Sequence, residues 1–292
     1  MNAVDGVSFN AYKGQITALL GHNGAGKSTT MNMLTGMTSP TSGSAKISGY
    51  DISKEMGLIR KSLGLCPQHN MLFVDLTVME HLIFFGMLKG ISMSEARKQA
   101  LSYTEKLDLV PKRNINAEKL SGGMKRKLHL GIALIGDSSV VMLDEPTSGM
   151  DPEARRHMWD LLQEIKKERT MILTTHFMEE ADVLGDRVVI MAHGTARCNG
   201  SPLFLKRVLG DGYTLSMTKG ENCDVKVISK LVKDSIYGAT SKVTRSELIF
   251  NLPVNESSKF PELFRGFEKA KDKLDVYNLS IKVTTMEDVF LK

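Results

Sequence analysis

The sequence predicts an α/β domain built on a largely parallel sheet, followed by a smaller α+β domain. From residue 15 to about residue 209, short β-branched runs alternate with longer runs of helical periodicity, which is the pattern of strands joined by crossover helices. A glycine-bearing stretch at residues 209–213 interrupts this alternation. Beyond it the predicted elements follow the order β-α-β-β-α-β, which is the order of a ferredoxin-like module.

The elements of the first domain are predicted from apolar residues at strand or helix spacing. Asp151 is a favourable N-cap for one helix, and Pro152 follows it at the first helical position. We expect the apolar stripe of that helix to pack against the sheet. The predicted strands are 15–20, 140–143 and 170–174, and the predicted helices are 27–34, 77–88, 95–107, 123–135 and one that begins after Asp151.

The second domain is predicted to begin at residue 210, so that the chain divides into residues 1–209 and residues 210–292. Its elements are shorter than those of the first domain, and no internal repeat or low-complexity tract is visible. Its predicted strands are 213–217, 241–244, 248–252 and 276–283, and its predicted helices are 225–233 and 260–271.

Composition narrows the class of protein. Hydrophobic residues make up 42% and charged residues 24% of the 292 residues, as in globular proteins. The net charge of +5 comes from 38 basic and 33 acidic residues without a block of one sign, so no nucleic-acid partner is expected. Cys66, Cys198 and Cys223 are widely spaced, which supports neither a disulfide framework nor a zinc site. No apolar run approaches the roughly 18 residues of a membrane span.

A glycine-rich loop follows the first predicted strand and opens the first predicted helix. Residues 21–28, GHNGAGKS, fit the pattern GxxxxGK[ST] in this context. Small residues let the backbone wrap around a polyphosphate, and N–H groups at the helix N-terminus stabilise its charge. We expect Lys27 to reach the β- and γ-phosphates and Ser28 to ligate Mg²⁺. The alternative is a glycine-rich turn without a ligand. Within the loop, we expect His22 to be a solvated residue rather than a ligand.

Two adjacent acids end the predicted strand 140–143. Asp144 and Glu145 would emerge at the carboxyl edge of the sheet, where neighbouring carboxylates repel each other unless they serve a cation or a water. We expect Asp144 to hold Mg²⁺ and Glu145 to polarise an attacking water. The alternative is a strand that runs out into an acidic turn before Pro146.

Two further polar residues follow predicted strands. His176 comes after the apolar run 171–175, where it is either a structural residue or a contact to the γ-phosphate and the attacking water. Gln68 lies in a turn after another strand and could ligate Mg²⁺ through its amide oxygen. An isolated glutamine carries no weight by itself.

A second glycine signature precedes the helix predicted at 123–135. Residues 120–124 read LSGGM, and Ser121 with the two glycines forms a second helix N-terminus that can face an anion. One nucleotide has no use for two such sites within one globule. The sequence alone therefore leaves this second site unexplained.

The order GHNGAGKS, Gln68, LSGGM, VVMLDE, the turn 148–151 and His176 resembles the nucleotide-binding domain of ABC proteins over residues 1 to about 205. Within that family it is most similar to subfamily A, the eukaryotic lipid-handling exporters, through CPQHN, LSGGMKRKL and LDEPTSGMDP. The stretches 210–215, GDGYTL, and 285–291, TMEDVFL, resemble the regulatory domain of that subfamily. The resemblance implies a P-loop NTPase fold with a helical subdomain at about 72–136 and a ferredoxin-like regulatory domain.

In this family two such domains stack head to tail and clamp ATP between them, which would explain two anion sites in one chain. The resemblance implies ATP and Mg²⁺ as ligands, with Glu145 and His176 catalytic, Asp151 at the seam between the sites, and Ser28, Gln68 and Asp144 at the metal. The residues expected to contact ATP in this chain are Gly21, His22, Asn23, Gly24, Ala25, Gly26, Lys27, Ser28, Thr29 and Gln68, and those expected to contact the partner's ATP are Leu120, Ser121, Gly122, Gly123 and Met124.

The resemblance departs from the family at the N-terminus. The family stacks an aromatic residue on adenine well upstream of the phosphate loop, and Tyr12 lies too close to the loop to take that place. We therefore expect an excerpt or truncated product that lacks its first strand and its membrane domains. Adenine affinity would weaken, since stacking contributes on the order of 1 kcal/mol.

The function expected from the resemblance is ATP binding and hydrolysis that powers transport, with lipid as the substrate bound elsewhere. The expected partners are a second nucleotide-binding domain and transmembrane domains, which would hold this chain at the cytosolic face of a membrane. The segment after Gln68 and helix 77–88 would contact those domains, although core packing is expected for most of Phe73, Phe84 and Phe85. The alternatives are a soluble ABC ATPase and a non-hydrolysing module in which ATP triggers association.

Overall fold

The computed structural model describes residues 2–69, 71–210, 212–220 and 223–291, with the side chains of residues 269–273 outside this description. Contacts divide the chain into two compact units, Met1–Pro202 and Leu203–Lys292. The sequence predicted the boundary seven residues later, after residue 209, because a glycine turn follows the helix that ends at Leu209. The contacts place nearly all of that helix in the second unit.

The first unit is built on a twisted sheet with strand order β4-β5-β6-β1-β7-β8. All neighbours in it are parallel except β7 and β8, so the predicted parallel sheet is present with one antiparallel edge. A separate hairpin, β2 with β3, was not predicted. The strands are β1 (Ile16–Leu20), β2 (Lys46–Ile47), β3 (Tyr50–Asp51), β4 (Leu63–Cys66), β5 (Val140–Asp144), β6 (Thr170–Thr175), β7 (Arg187–Ala192) and β8 (Thr195–Gly200).

The central strands form the core of this unit. Every residue of β1 and β5 is buried, as expected for parallel strands that are covered on both faces. Burial of continuous apolar runs contributes about 25 cal/mol for each Å² removed from water. These strands therefore fix the positions of the residues that follow them, and all of their carboxyl ends meet at one edge of the sheet.

The helices of the first unit begin where the capping residues predict. Thr77 forms a capping box with Glu80, Ser121 caps through Met124 N–H, and Asp151 caps through Ala154 N–H. The predicted helices agree with the structure within two residues at each end. The helices are α1 (Lys27–Leu34), α2 (Met56–Ser62), α3 (Val78–Leu88), α4 (Met93–Lys106), α5 (Gly122–Leu134), α6 (Pro152–Ile165) and α7 (Met178–Leu184).

The second unit has the ferredoxin-like α+β order that the sequence predicts. Its antiparallel sheet has strand order β10-β11-β9-β12, and its core contains the fully buried Phe250. Asp211, in the GDGYTL stretch, lies outside the described residues. The elements are α8 (Pro202–Leu209), β9 (Tyr213–Lys219), α9 (Val225–Ser235), β10 (Thr240–Val243), β11 (Glu247–Leu252), α10 (Phe260–Leu274), β12 (Val276–Val283) and α11 (Met286–Phe290).

Candidate active site

The loop between β1 and α1 forms a preorganised cradle. Gly24 and Gly26 have φ values of 80° and 99°, in the left-handed region that glycine adopts without a Cβ penalty. The Lys27 ammonium donates to the carbonyl oxygens of Gly21, at 2.7 Å, and His22, at 3.1 Å. Burial lowers the pKa of Lys27, and the charges of Glu145 and Asp144 partly oppose this. The cradle thus holds its cation in place before any anion arrives.

This loop opens onto a cleft of about 240 Å³ that is lined by residues 23–29, Gln68 and Glu145. Ser28 Oγ donates to Asp144 Oδ1 at 3.3 Å, and the Thr174 hydroxyl donates to the same carboxylate oxygen. The structure therefore brings the phosphate loop, the acid at the end of β5 and the glutamine after β4 together. None of the residues that line the cleft belongs to the segment 120–124.

Glu145 lies at the centre of the predicted catalytic residues. Its Oε1 is 2.9 Å from His176 Nδ1, and its Oε2 accepts from Gln68 Nε2 at 3.2 Å. Because a carboxylate only accepts, His176 Nδ1 carries the proton. Glu145 is 6% exposed and has a φ of 48°. The left-handed conformation costs a non-glycine residue on the order of 1 kcal/mol. Residues with such backbone strain cluster at functional sites.

The residues around Asp144 fit a magnesium ion. Mg²⁺ prefers oxygen ligands from one or two carboxylates together with substrate phosphates, and the Ser28 hydroxyl, the Asp144 carboxylate and the Gln68 amide oxygen are donors of this kind. Ser28 and Asp144 already contact each other. Gln68 contacts Glu145 through its amide nitrogen, so its oxygen is the atom that remains for a cation.

The LSGGM segment lies at the N-terminus of α5. Leu120 is buried, whereas Ser121 and Gly122 are exposed, and Ser121 Oγ accepts from Met124 N–H at 3.3 Å. A Cβ on Gly122 would meet nothing within 4 Å, and one on Gly123 would meet only Met150 Cε at 3.9 Å. Packing inside this chain therefore does not require either glycine.

Asp151 caps α6 and remains exposed. Its Oδ1 accepts from Ala154 N–H at 2.8 Å, and this backbone hydrogen bond lowers the pKa of Asp151. The cap predicted from the sequence is confirmed. Its predicted place at a seam between two sites is a property of an assembly and stays a prediction.

The sequence pattern missed several residues that hold the site together. Arg126, in α5, donates to the carbonyl oxygens of Pro67 at 2.6 Å and Glu145 at 2.9 Å. Glu180, in α7, is 1% exposed and accepts from Thr147 Oγ1 at 2.7 Å and Trp159 Nε1 at 3.2 Å. None of these belongs to a phosphate or acid motif. The signal available in the sequence was that Arg126 and Glu180 are charged residues at helix positions whose spacing places them on the buried face.

The segment after Gln68 presents an apolar surface. Phe73 is 52% and Phe84 is 40% exposed, and their rings pack edge to face at 5.7 Å. The expectation of core packing for most of Phe73, Phe84 and Phe85 is therefore wrong, because two of the three are exposed and pack on each other. Met71 and Val74 extend the exposed patch. Asn70, in the CPQHN stretch, lies outside the described residues.

Tyr12 does not contribute to the cleft. It is 47% exposed, it is absent from the residues that line the cleft, and the Arg187 guanidinium carbon lies 5.6 Å from the centroid of its ring. That Tyr12 does not take the place of an adenine-stacking residue stays a prediction. Among the residues that the structure describes, no helix has the length and apolar character that a membrane span requires.

A glycine cradle before a helix, an acid-tipped central strand and a histidine at the next strand end define an ATP-binding domain of the P-loop type. The ABC transporter family model matches residues 4–148, and an ACT-like domain model matches residues 213–286. The chain thus belongs to the ABC transporter family, and it carries an ABC-type nucleotide-binding domain followed by an ACT-like domain.

Relatives and solved structures agree with this. The chain is 52% identical over 287 residues to the phospholipid-transporting ATPase ABCA3 of Mus musculus, with 98% of this chain covered. It is 48% identical over 292 residues, 99% of this chain, to ATP-binding cassette sub-family A member 17 of Rattus norvegicus. It spans only 17% of the length of the mouse protein and 16% of the rat protein.

Two solved structures share the fold of the first unit. An ATP-binding subunit of an ABC transporter superposes with a TM-score of 0.66 at 29% identity, covering 72% of this chain and 88% of that one. A dimeric post-hydrolysis state of an ATP-binding cassette bound to ADP and Pi superposes with a TM-score of 0.64 at 25% identity, covering 68% of this chain and 90% of that one.

Proposed function

We propose that this chain binds ATP with Mg²⁺ and hydrolyses it as one member of a head-to-tail pair of nucleotide-binding domains, and that hydrolysis powers lipid movement by membrane-spanning domains. The observation that carries the proposal is the contact of Glu145 with both Gln68 and His176 beside the phosphate loop. This arrangement supplies a base, a polar partner for it and a metal ligand at one cleft.

ATP would lie with its phosphates in the loop 21–29, where backbone N–H groups at the start of α1 face the negative charge. Lys27 would donate to the β- and γ-phosphates. Ser28, Asp144 and Gln68 would hold Mg²⁺, which when bound neutralises charge that develops on the transferred phosphoryl group. The buried Thr174 hydroxyl, which donates to Asp144, fixes the orientation of that carboxylate.

Hydrolysis would begin when Glu145 accepts a proton from a water directed at the γ-phosphate. His176 donates to Glu145 through Nδ1, so Nε2 of the neutral ring would accept a hydrogen bond from the water. Gln68 holds Glu145 through its amide nitrogen, and its amide oxygen would be available to the metal. The burial of Glu145 strengthens each of these interactions, because water screens them less.

Pairing would bring the second anion site of each chain to the ATP of the other. Ser121 and Gly122 are exposed at the N-terminus of α5, and neither glycine of LSGGM is required by internal packing. A glycine that packing does not require is suited to close backbone approach by an outside ligand. A dimeric ATP-binding cassette among the similar solved structures supports such a pair. Asp151, exposed after the acidic turn, would lie at the seam.

Transport of a phospholipid is supported by the name of the mouse relative. The apolar patch formed by Met71, Phe73, Val74 and Phe84 adjoins the turn that carries Gln68, so that a partner seated on it would sense ATP at the metal. We propose that the transmembrane domains of the transporter contact this patch and hold the chain at the cytosolic face of a membrane.

Glu145→Gln tests the hydrolysis step. The amide keeps the shape of the side chain but is not a base, so ATP binding is retained and turnover falls by roughly a hundredfold or more. Glu164→Gln, an exposed change on α6, is the matched control and leaves turnover unchanged. Steady-state phosphate release measures both variants. Equal turnover in Glu145→Gln and wild type would refute the assignment.

Reconstitution tests the transport step and separates the alternatives. In phospholipid vesicles, the full-length transporter that contains this domain is expected to move labelled phospholipid when ATP is present, and the Glu145→Gln form is not. ATP hydrolysis without phospholipid movement would contradict the proposed transport step. ATP-dependent pairing without hydrolysis in wild type would favour the non-hydrolysing association module.

A further inference from the structure

Arg126 is a buried cation on the helix that begins with the LSGGM segment. It is 4% exposed, and its guanidinium makes two hydrogen bonds to backbone carbonyl oxygens on different elements. Nη1 donates to Pro67 O at 2.6 Å, and Nη2 donates to Glu145 O at 2.9 Å. One side chain, through its planar guanidinium, thus joins α5 to the residue before Gln68 and to Glu145 itself.

The contacts of Arg126 are unusual for a buried charge. Burying an ion costs free energy unless the ion is paired, and Arg126 forms no salt bridge with any residue that the structure describes. Its neighbours Lys125 and Lys127 are only half-buried, and Lys127 pairs with Asp108. A neutral amide could satisfy one carbonyl at lower cost. The planar fork of arginine reaches two acceptors in a fixed geometry.

We infer that Arg126 is a positioning residue that couples the two ATP half-sites of this chain. This inference rests on the proposed head-to-tail pairing. In such a pair, the LSGGM end of α5 meets the partner's ATP, whereas Glu145 and Gln68 act on ATP held by this chain. Arg126 lies on the same helix as the LSGGM segment, and it holds the carbonyl groups of Glu145 and of Pro67, the residue before Gln68.

The coupling follows from the two hydrogen bonds that hold the Arg126 guanidinium between α5 and the active-site backbone. A guanidinium that donates two short hydrogen bonds cannot move without displacing both carbonyl groups or breaking a bond. A shift of the first turn of α5, when Ser121 meets the partner's γ-phosphate, would therefore move the peptide groups at Pro67 and Glu145. The backbone of Glu145 already has a φ of 48°, so its conformation depends on such supporting contacts.

Arg126→Gln tests the positioning role in the assembled pair. Losing two charge-assisted hydrogen bonds lowers turnover by roughly tenfold or more, while KM for ATP stays within about twofold because Arg126 does not line the cleft. Arg126→Lys keeps the charge without the planar fork and recovers part of the rate. Lys125→Gln makes the same charge change one residue away, at a side chain without a hydrogen bond to the described residues, and behaves as wild type.

Mixed pairs test the coupling itself. One copy carries Glu145→Gln, so that the single competent site combines the wild-type copy's Glu145 with the other copy's LSGGM segment. Two affinity tags isolate this pair, and single-turnover hydrolysis is measured. Arg126→Gln is expected to lower the rate whether it is placed in the copy that supplies Glu145 or in the copy that supplies LSGGM. A role confined to Glu145 of the same copy predicts no effect from the second placement.

The outcomes are separable. The coupling would be overturned if Arg126→Gln lowered the rate only when placed in the copy that supplies Glu145. It would also be overturned if, in both placements, Arg126→Gln lowered the rate no more than Lys125→Gln does. If Arg126→Gln does not fold, the same two placements of Arg126→Lys decide the question. A wild-type chain that neither pairs nor hydrolyses ATP overturns the proposed function, and this inference with it.

Discussion

At the scale of the residue, Lys27 shows how the site is prepared for an anion. Lys27 is 5% exposed, and its ammonium donates to two carbonyl oxygens at 2.7 and 3.1 Å. Burial lowers its pKa, with Glu145 and Asp144 acting in the opposite direction. A bound triphosphate adds negative charge at this point and stabilises the protonated form.

Lys27→Met is expected to weaken ATP binding by roughly tenfold to a hundredfold, because charge-assisted hydrogen bonds to phosphate contribute on the order of 1.5 to 3 kcal/mol. Lys27→Arg keeps the charge and is the control for it. Equilibrium titration with ATP measures both affinities. Unchanged affinity in Lys27→Met would show that the phosphates lie elsewhere.

The motif residues were predictable from the sequence, whereas the residues that hold them were not. The glycine spacing of GHNGAGKS and the strand-end acids Asp144 and Glu145 predict phosphate and metal chemistry. Thr174, Arg126 and Glu180 act through contacts between segments far apart in sequence, such as the 59 positions between Arg126 and Pro67. Single residues of common type carry no local pattern, and only the fold brings them together.

At the scale of the element, the segment after Gln68 is held by two buried histidines. His81 Nε2 accepts from Phe73 N–H and His129 Nε2 accepts from Met71 N–H, each at 3.0 Å. Both rings must be neutral to accept. Burial lowers the pKa of both histidines, and the pKa of His129 falls to about 4, with the charges of Arg126 and His81 adding to the effect.

The stability of the first unit should therefore depend on pH. A histidine with a pKa lowered in the folded state binds its proton first in the unfolded state, so the free energy of unfolding falls as pH drops from about 6.5 towards about 4. The loss from His129 is on the order of 3 kcal/mol. His129→Leu is expected to flatten this dependence, as chemical denaturation at pH 7 and at pH 4.5 will measure. An equally steep dependence in the variant would contradict the account.

The turn between Glu145 and Asp151 is fixed by Glu180, whose carboxylate accepts from the fully buried Thr147. Thr147→Val keeps the shape but removes this hydrogen bond, which is expected to cost about 1 to 3 kcal/mol of stability and to lower turnover several-fold as the turn shifts. Thr147→Ser keeps the hydroxyl and serves as the control. Thermal unfolding and phosphate release measure the pair, and identical behaviour of the two variants would argue against a role for the hydroxyl.

At the scale of the whole molecule, the chain consists of two units with separate cores. The element order of both was predictable, because alternation in the first unit and the β-α-β-β-α-β order in the second are readable from periodicity. The strand order β4-β5-β6-β1-β7-β8 and the hairpin β2–β3 were not, since register and two-residue strands depend on tertiary contacts. The pairing of two copies was likewise not predictable from residue spacing, because it depends on contacts between chains.

Phe250→Ala tests whether the two cores are separate. Phe250 is fully buried in the second unit, and its truncation is expected to destabilise that unit by about 3 to 5 kcal/mol. ATP affinity should stay unchanged, because the cleft lies in the first unit. Calorimetry and ATP titration measure the two effects. A matching loss of ATP binding would show that the units fold as one.

Pairing around ATP is the claim on which the account depends most. Copies of Glu145→Gln that carry Asn23→Cys are mixed with copies of Glu145→Gln that carry Lys119→Cys, an exposed position next to the LSGGM segment, and disulfide formation between the two kinds is followed with and without ATP. The account predicts a crosslinked dimer between phosphate loop and LSGGM segment that requires ATP. Strictly monomeric protein at saturating ATP, with no crosslink between these positions, would contradict it.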